Sequence, residues 1–190
     1  MNFRVMITGT LLGLLAGTAA APAAISVVGN SIGTDCYRAA EFGGETRDGI
    51  QTCTYALDSQ ALTIRDRAAT LINRGILRSR VGDTEGALAD YNQGLTYDGS
   101  LGEGYVDRGA VYIALRRYDE ALNDINKGIE MGAREPHIAY YDRAIVDEAM
   151  GNIRAAYEDY KKAVELQPDF TLASQQLARF KVIRSSANGT

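Results

Sequence analysis

Three stretches of this chain repeat one another at a nearly constant period. The first holds Asn73-Arg74-Gly75, then Ala87-Leu88-Ala89-Asp90-Tyr91, then Gly94-Leu95. The second holds Asp107-Arg108-Gly109, then Ala121-Leu122-Asn123-Asp124-Ile125, then Gly128-Ile129. The third holds Asp142-Arg143-Ala144, then Ala156-Tyr157-Glu158-Asp159-Tyr160, then Ala163-Val164. The first step is 34 residues and the second is 35, with the extra residue in the connection around Gly132 to His137. A unit of that length is one supersecondary motif that cannot bury its apolar face alone, so neighbouring units must stack. In each unit a small residue is followed four positions later by a large one: Ala87 and Tyr91, Ala121 and Ile125, Ala156 and Tyr160. Positions four apart share one face of a helix. The chain therefore reads as all-α.

This pattern resembles the tetratricopeptide repeat (TPR). Its large and small residues early in helix A are matched by Leu71 and Gly75, Tyr105 and Gly109, and Tyr140 and Ala144. Its small residue late in helix B is matched by Gly94, Gly128 and Ala163, and its closing proline only by Pro168. The resemblance covers about 68–170, divided as 68–101, 102–136 and 137–170. It implies a right-handed solenoid of antiparallel helix hairpins. Gly82, Gly99 and Gly151 fall at turns, where a left-handed backbone costs glycine little. Ser100 with Glu103 reads as a capping box opening the second repeat. The amphipathic stretch Phe170 to Arg184, with Leu172, Leu177, Phe180 and Val182, reads as a capping helix before a short tail.

The N-terminus reads as a leader. Arg4 precedes an apolar run from Val5 to Ala16, and Ala21-Pro22-Ala23 offers a small-residue cleavage site. The run is shorter than the roughly 20 apolar residues of a membrane span. Residues 1–23 are thus expected to be removed on export, with the bacterial periplasm the expected compartment and no span in the mature chain. In an oxidising compartment Cys36 and Cys53 are expected to form a disulfide. Asp35 to Phe42 and Glu45 to Leu57 read as two short helices around a Gly43-Gly44 turn, a leading hairpin stapled by that bridge. Thr54 to Asp66 would connect it to the first full repeat.

Arg74 and Asp90, Arg108 and Asp124, and Arg143 and Asp159 are each 16 apart and symmetric about the turn of their hairpin. Antiparallel helices place such positions at one level, so each repeat is expected to hold an Arg–Asp ion pair. The resemblance also implies a concave face built by the A helices. Position by position it assigns partner contact to Ile72, Ile76 and Arg80, to Val106, Ala110 and Ile113, and to Ile138, Tyr141 and Ile145. The Lys, Asn and Arg set with which such grooves clamp a terminal carboxylate is missing at these positions.

Catalytic chemistry finds no purchase. His137 is the only histidine, no phosphate-binding glycine loop is present, and no serine lies in a nucleophile elbow. No enzyme, metal or cofactor is expected. The formal charge of −4, with no basic cluster, sets nucleic acid aside. The expected function is a protein-interaction module of the cell envelope, binding a protein or peptide. A structural protein that self-associates into homo-oligomers is the alternative.

Overall fold

The computed structural model describes residues 3–7, 23–27, 31–43, 45–59 and 61–184. Most of the expected leader, including Ala21 and Pro22 of the cleavage site, and Gly44 of the leading turn lie outside the described residues. The chain divides into two compact units, residues 21–135 and residues 1–20 with 136–190.

The larger unit contains α1 (Ser31–Phe42), α2 (Thr46–Ser59), α3 (Ile64–Arg80), α4 (Thr84–Tyr97), α5 (Gly102–Ala114) and α6 (Tyr118–Glu130). These form three hairpins, α1–α2, α3–α4 and α5–α6, each stacked on the next in chain order. The leading hairpin extends past its expected ends, so the connector to α3 shrinks from the expected Thr54 to Asp66 to residues 60–63. Thr63 supplies the reason for the earlier start of α3. Its hydroxyl oxygen accepts from the Asp66 N–H at 3.1 Å, capping a helix whose first turn needs a partner. Asp83 caps α4 in the same manner, accepting from the Gly86 N–H at 3.0 Å.

Small residues set the distance between the helices of a hairpin. A methyl group added at Gly75 would lie 2.8 Å from Cε1 of Tyr91, and one at Gly109 would lie 2.7 Å from Cγ1 of Ile125. On the other side of the contact, a methyl at Gly128 would meet Val106 Cγ2 at 2.5 Å and the Gly102 carbonyl oxygen at 2.9 Å. The repeated small and large residues are thus two halves of one packing contact.

Each A helix closes the same way. The Asp83 N–H donates to the Arg78 carbonyl, the Arg117 N–H to Tyr112, and the Asn152 N–H to Asp147. The residue before each of these is left-handed: Gly82 at φ 80°, Arg116 at φ 58° and Gly151 at φ 83°. Gly99 is not among the left-handed residues, so that turn closes without one. Arg116 carries a Cβ where its two counterparts have none, which costs about 1–2 kcal/mol. Arg116→Gly should therefore stabilise the protein by about 0.5–1 kcal/mol once the greater freedom of an unfolded glycine is subtracted. A denaturant midpoint equal to or below wild type would contradict this.

Cys36 of α1 and Cys53 of α2 are joined, with Cα atoms 4.8 Å apart. Both are fully buried and sit in one core cluster with Ala40, Ala68 and Ile72. Closing a loop of 17 residues' separation should stabilise the fold by about 3 kcal/mol through the unfolded chain. Cys36→Ser should lower the melting temperature under oxidising conditions, whereas equal melting of variant and wild type would deny the staple a stabilising role.

The smaller unit holds the α7 (Pro136–Ala149) and α8 (Ile153–Leu166) hairpin, α9 (Thr171–Leu177), and the strands β1 (Phe3–Ile7) and β2 (Phe180–Arg184). Tyr141 and Tyr160 pack tilted at 5.7 Å between centroids, and Phe170 closes on Tyr141 edge-on at 5.2 Å. The expected capping helix is corrected here. It stops at Leu177, and β2 pairs antiparallel with β1, Val5 opposite Val182. The run Phe180 to Ile183 favours strand over helix, because Phe180 is aromatic and Val182 and Ile183 are β-branched. The two strands form the only sheet among the described residues.

Candidate functional site: the A-helix face of the larger unit

All three expected ion pairs form, each side-on through two hydrogen bonds. Arg74 donates from Nε and Nη2 to Asp90 at 2.9 and 2.7 Å. Arg108 does so to Asp124 at 2.6 and 2.8 Å, and Arg143 to Asp159 at 2.6 and 2.9 Å. The third nitrogen reaches further. Arg74 Nη1 donates to Thr54 Oγ1 of α2 at 3.1 Å, and Arg108 Nη1 to Asn92 Oδ1 of α4 at 2.6 Å. One guanidinium therefore ties helix A both to its own helix B and to the preceding one. The hydrogen bonds Arg108 donates to the Asp124 carboxylate raise its pKa above the ordinary value against the opposing effect of burial. The charges of this row are consumed inside the fold.

The chain before α1 forms the site. Residues 23–27 run without regular secondary structure onto α3. The Ile25 N–H donates to Asn73 Oδ1 at 2.7 Å, and Asn73 Nδ2 donates back to the Ile25 carbonyl at 2.7 Å. The amide of Asn73 thus pairs with the main chain of Ile25 as a neighbouring strand would. Asn73 itself is completely buried. Ala24, Ile25 and Val27 are buried while Ser26 is exposed. Arg134 donates to the Ala24 carbonyl, and its Nε donates to Glu103 of α5 at 2.8 Å. A methyl at Gly33 would meet Val27 Cγ1 at 2.7 Å, so α1 also closes on this segment.

Glu103 is accordingly not part of a capping box. Ser100 instead donates both its N–H and its hydroxyl to Asp98, and Leu101 at the N-cap offers no side-chain oxygen.

The residues assigned to partner contact fall into two groups. Ile72, Ile76, Val106, Ile138 and Tyr141 are buried. Ile72 approaches Gly94 of α4 and Gly104 of α5, Val106 approaches Gly128 of α6, and Tyr141 packs tilted against Tyr160 of α8, so each of these equivalent positions packs on its own B helix and Ile72 also on the next A helix. Ala110, Ile113 and Ile145 are half-buried and Arg80 is exposed. The position one residue on from Ile72, Val106 and Tyr141 holds Asn73, Asp107 and Asp142, all buried. Asn73 was visible in the sequence as the one amide among these three, but the sequence does not reveal its occupant.

His137 packs edge-on against Phe170 at 5.1 Å between centroids. Among the described residues no group of His, Cys, Asp and Glu is placed to hold a metal, and no helix is long and apolar enough to cross a membrane.

Residues 102–131 and 137–170 match the tetratricopeptide repeat family model. Those two stretches carry tetratricopeptide repeats. The Small glutamine-rich tetratricopeptide repeat-containing protein of Dictyostelium discoideum is 28% identical over 134 residues, 70% of this chain and 39% of that protein. DnaJ homolog subfamily C member 3 of Gallus gallus is 39% identical over 74 residues, 39% of this chain and 14% of that protein. The chain thus aligns with well under half the length of these relatives. Among solved structures, MamA superposes with a TM-score of 0.63 at 20% identity, covering 79% of this chain and 82% of MamA. The first TPR of Spaghetti (RPAP3), bound to an HSP90 peptide, superposes with a TM-score of 0.57 at 24% identity, covering 60% and 90%. These likenesses place the helix hairpins in the TPR fold.

Proposed function

We propose that this chain is an exported adaptor that binds an extended peptide across the A-helix face formed by α1, α3 and α5. The observation that carries the reading is the side-chain amide of Asn73, which exchanges two hydrogen bonds with the main chain of one residue outside the helices. A buried group satisfied in that manner reads peptide backbone, which any sequence supplies. The solved TPR of RPAP3 holds a peptide, which lends the reading support from the fold. Export rests on the leader: residues 1–23, β1 included, are removed, Ala24 or its neighbour becomes the new N-terminus, and the protein acts in the envelope or periplasm.

Peptide-display selection on the purified full chain tests the binding. Selected peptides should bind the Ile113→Glu variant at least 10-fold more weakly, because Ile113 of α5 is apolar and half-buried. Equal affinity for wild type and a folded variant would move recognition off α5. Self-association is the rival reading, and it predicts sedimentation that changes with concentration without added peptide.

A further inference from the structure

The Ala24–Val27 segment is held by contacts of two kinds. Its main chain is held by polar side chains that lie far away in sequence: Asn73 at Ile25 and Arg134 at Ala24. Its side chains enter apolar space among the repeats, and Ala24, Ile25 and Val27 share one core cluster with Ala69, Ile72, Ile76 and Leu77. The segment belongs to no helix hairpin and extends no sheet. Its hold on the fold is that of a bound peptide: main-chain pairing with a side-chain amide, three of its four side chains buried, and a cation on a carbonyl.

We propose that Ala24–Val27 is a tethered ligand of the chain's own peptide site. The external partner is an extended peptide of the same chemistry, small-aliphatic-polar-aliphatic, which displaces it. This deepens the peptide-binding reading and rests on it. Asn73 sets the main-chain register, because its amide accepts from the Ile25 N–H with Oδ1 and donates to the Ile25 carbonyl with Nδ2. The enclosed site at Ala24 admits little beyond a methyl, since Ala24 is fully buried with its carbonyl on Arg134. The two positions flanking the polar one take branched aliphatics, as Ile25 and Val27 do. Tethering makes the arm a competitor at high effective concentration, so a partner must bind well to replace it. Removal of a leader ending near Ala23 would leave the arm beside a free chain end, from which it can peel.

The test uses the full chain. A fluorescent, acetylated peptide of residues 23–30 is titrated by anisotropy into wild type and into an Ile25→Asp/Val27→Asp variant, whose charged arm cannot re-enter apolar pockets. The variant should bind the peptide at least 10-fold more tightly than wild type. Adding Asn73→Asp should abolish that gain, because a carboxylate cannot donate to the carbonyl. A folded arm variant that takes up no peptide would overturn the proposal. Hydrogen exchange on wild type needs no variant. The Ile25 amide should exchange at least 100-fold faster than the amides at the middle of α3, reporting that the arm opens while the repeats stay folded. Exchange of Ile25 at the rate of the α3 core would overturn the proposal, since the segment would then be a fixed strand. Dimers formed by exchanging arms would overturn it too, by making the occupant a second copy. The display-selected peptides separate the two readings. If they bind wild type and the arm variant equally and still require Ile113, the A-helix face remains the peptide site and only the tethered-ligand role fails.

Discussion

Asp90→Ala should destabilise the protein by about 3–5 kcal/mol, more than the same change at Asp124 or Asp159. Removing one partner of a buried ion pair leaves the other charge uncompensated, and that loss exceeds the net worth of the intact pair. Asp90 is the extreme case in this chain. Its side chain is 3% exposed, and it receives Arg74 at 2.7 Å and also Arg78 at 2.9 Å. Asp124 and Asp159 are 11% and 12% exposed, so water screens their arginines more once a carboxylate is lost. Arg74 would be left with Thr54 of α2, in the preceding hairpin, as its side-chain hydrogen-bonding partner. Chemical denaturation of the three alanine variants checks the order. Equal losses at all three sites would show that burial does not rank the pairs.

Tyr91→Ala should cost about 3–5 kcal/mol, the range for removing a large buried ring. Tyr91 is 1% exposed, and burial raises its hydroxyl pKa well above the ordinary value. Its ring fills the space that Gly75 leaves open, with Cε1, Cδ1 and Cζ all within 3.1 Å of where a Cβ would stand. The cavity could not close by a small adjustment, because α3 and α4 are already held at one level by Arg74 and Asp90. Gly75→Ala tests the same contact from the other side and should also destabilise, by overpacking. A Tyr91→Ala variant that loses less than 1 kcal/mol in urea denaturation would mean that the ring is not the filler of this hairpin.

Both contacts are legible in the sequence, for one reason. Positions 16 apart and symmetric about a hairpin turn meet at one level, so Gly75 faces Tyr91 as Arg74 faces Asp90. Periodicity makes such contacts repeat, and a repeated pairing is visible in a sequence. Contacts made once are not. Glu103 follows Ser100 at capping-box spacing, yet it binds Arg134, 31 residues away. Nothing local distinguishes the two uses of that carboxylate.

Orientation within an apolar helix was also out of reach. Ile72 and Val106 read as a concave strip, but Gly94 and Gly128 open the hollows that draw them toward the B helices. The face that remains is marked by its polar position, Asn73, rather than by its apolar ones. The segment of residues 23–27 is too short to carry a period and abuts a leader-like stretch. Its partners Asn73 and Arg134 are 48 and 110 residues away from Ile25 and Ala24. The end of the last helix was missed for a different reason. Leu172, Leu177 and Phe180 fit a helical face, but strand-forming Val182 and Ile183 take the chain into β2.

The measurement that tests the peptide-binding account most directly is a titration of isotope-labelled full chain with a display-selected peptide, followed by amide NMR. The account predicts that the side-chain amide of Asn73 and the main-chain amides of α3 and α5 shift together and saturate at one peptide per chain. Saturable shifts confined to α4 and α6, with Asn73 unmoved, would contradict it.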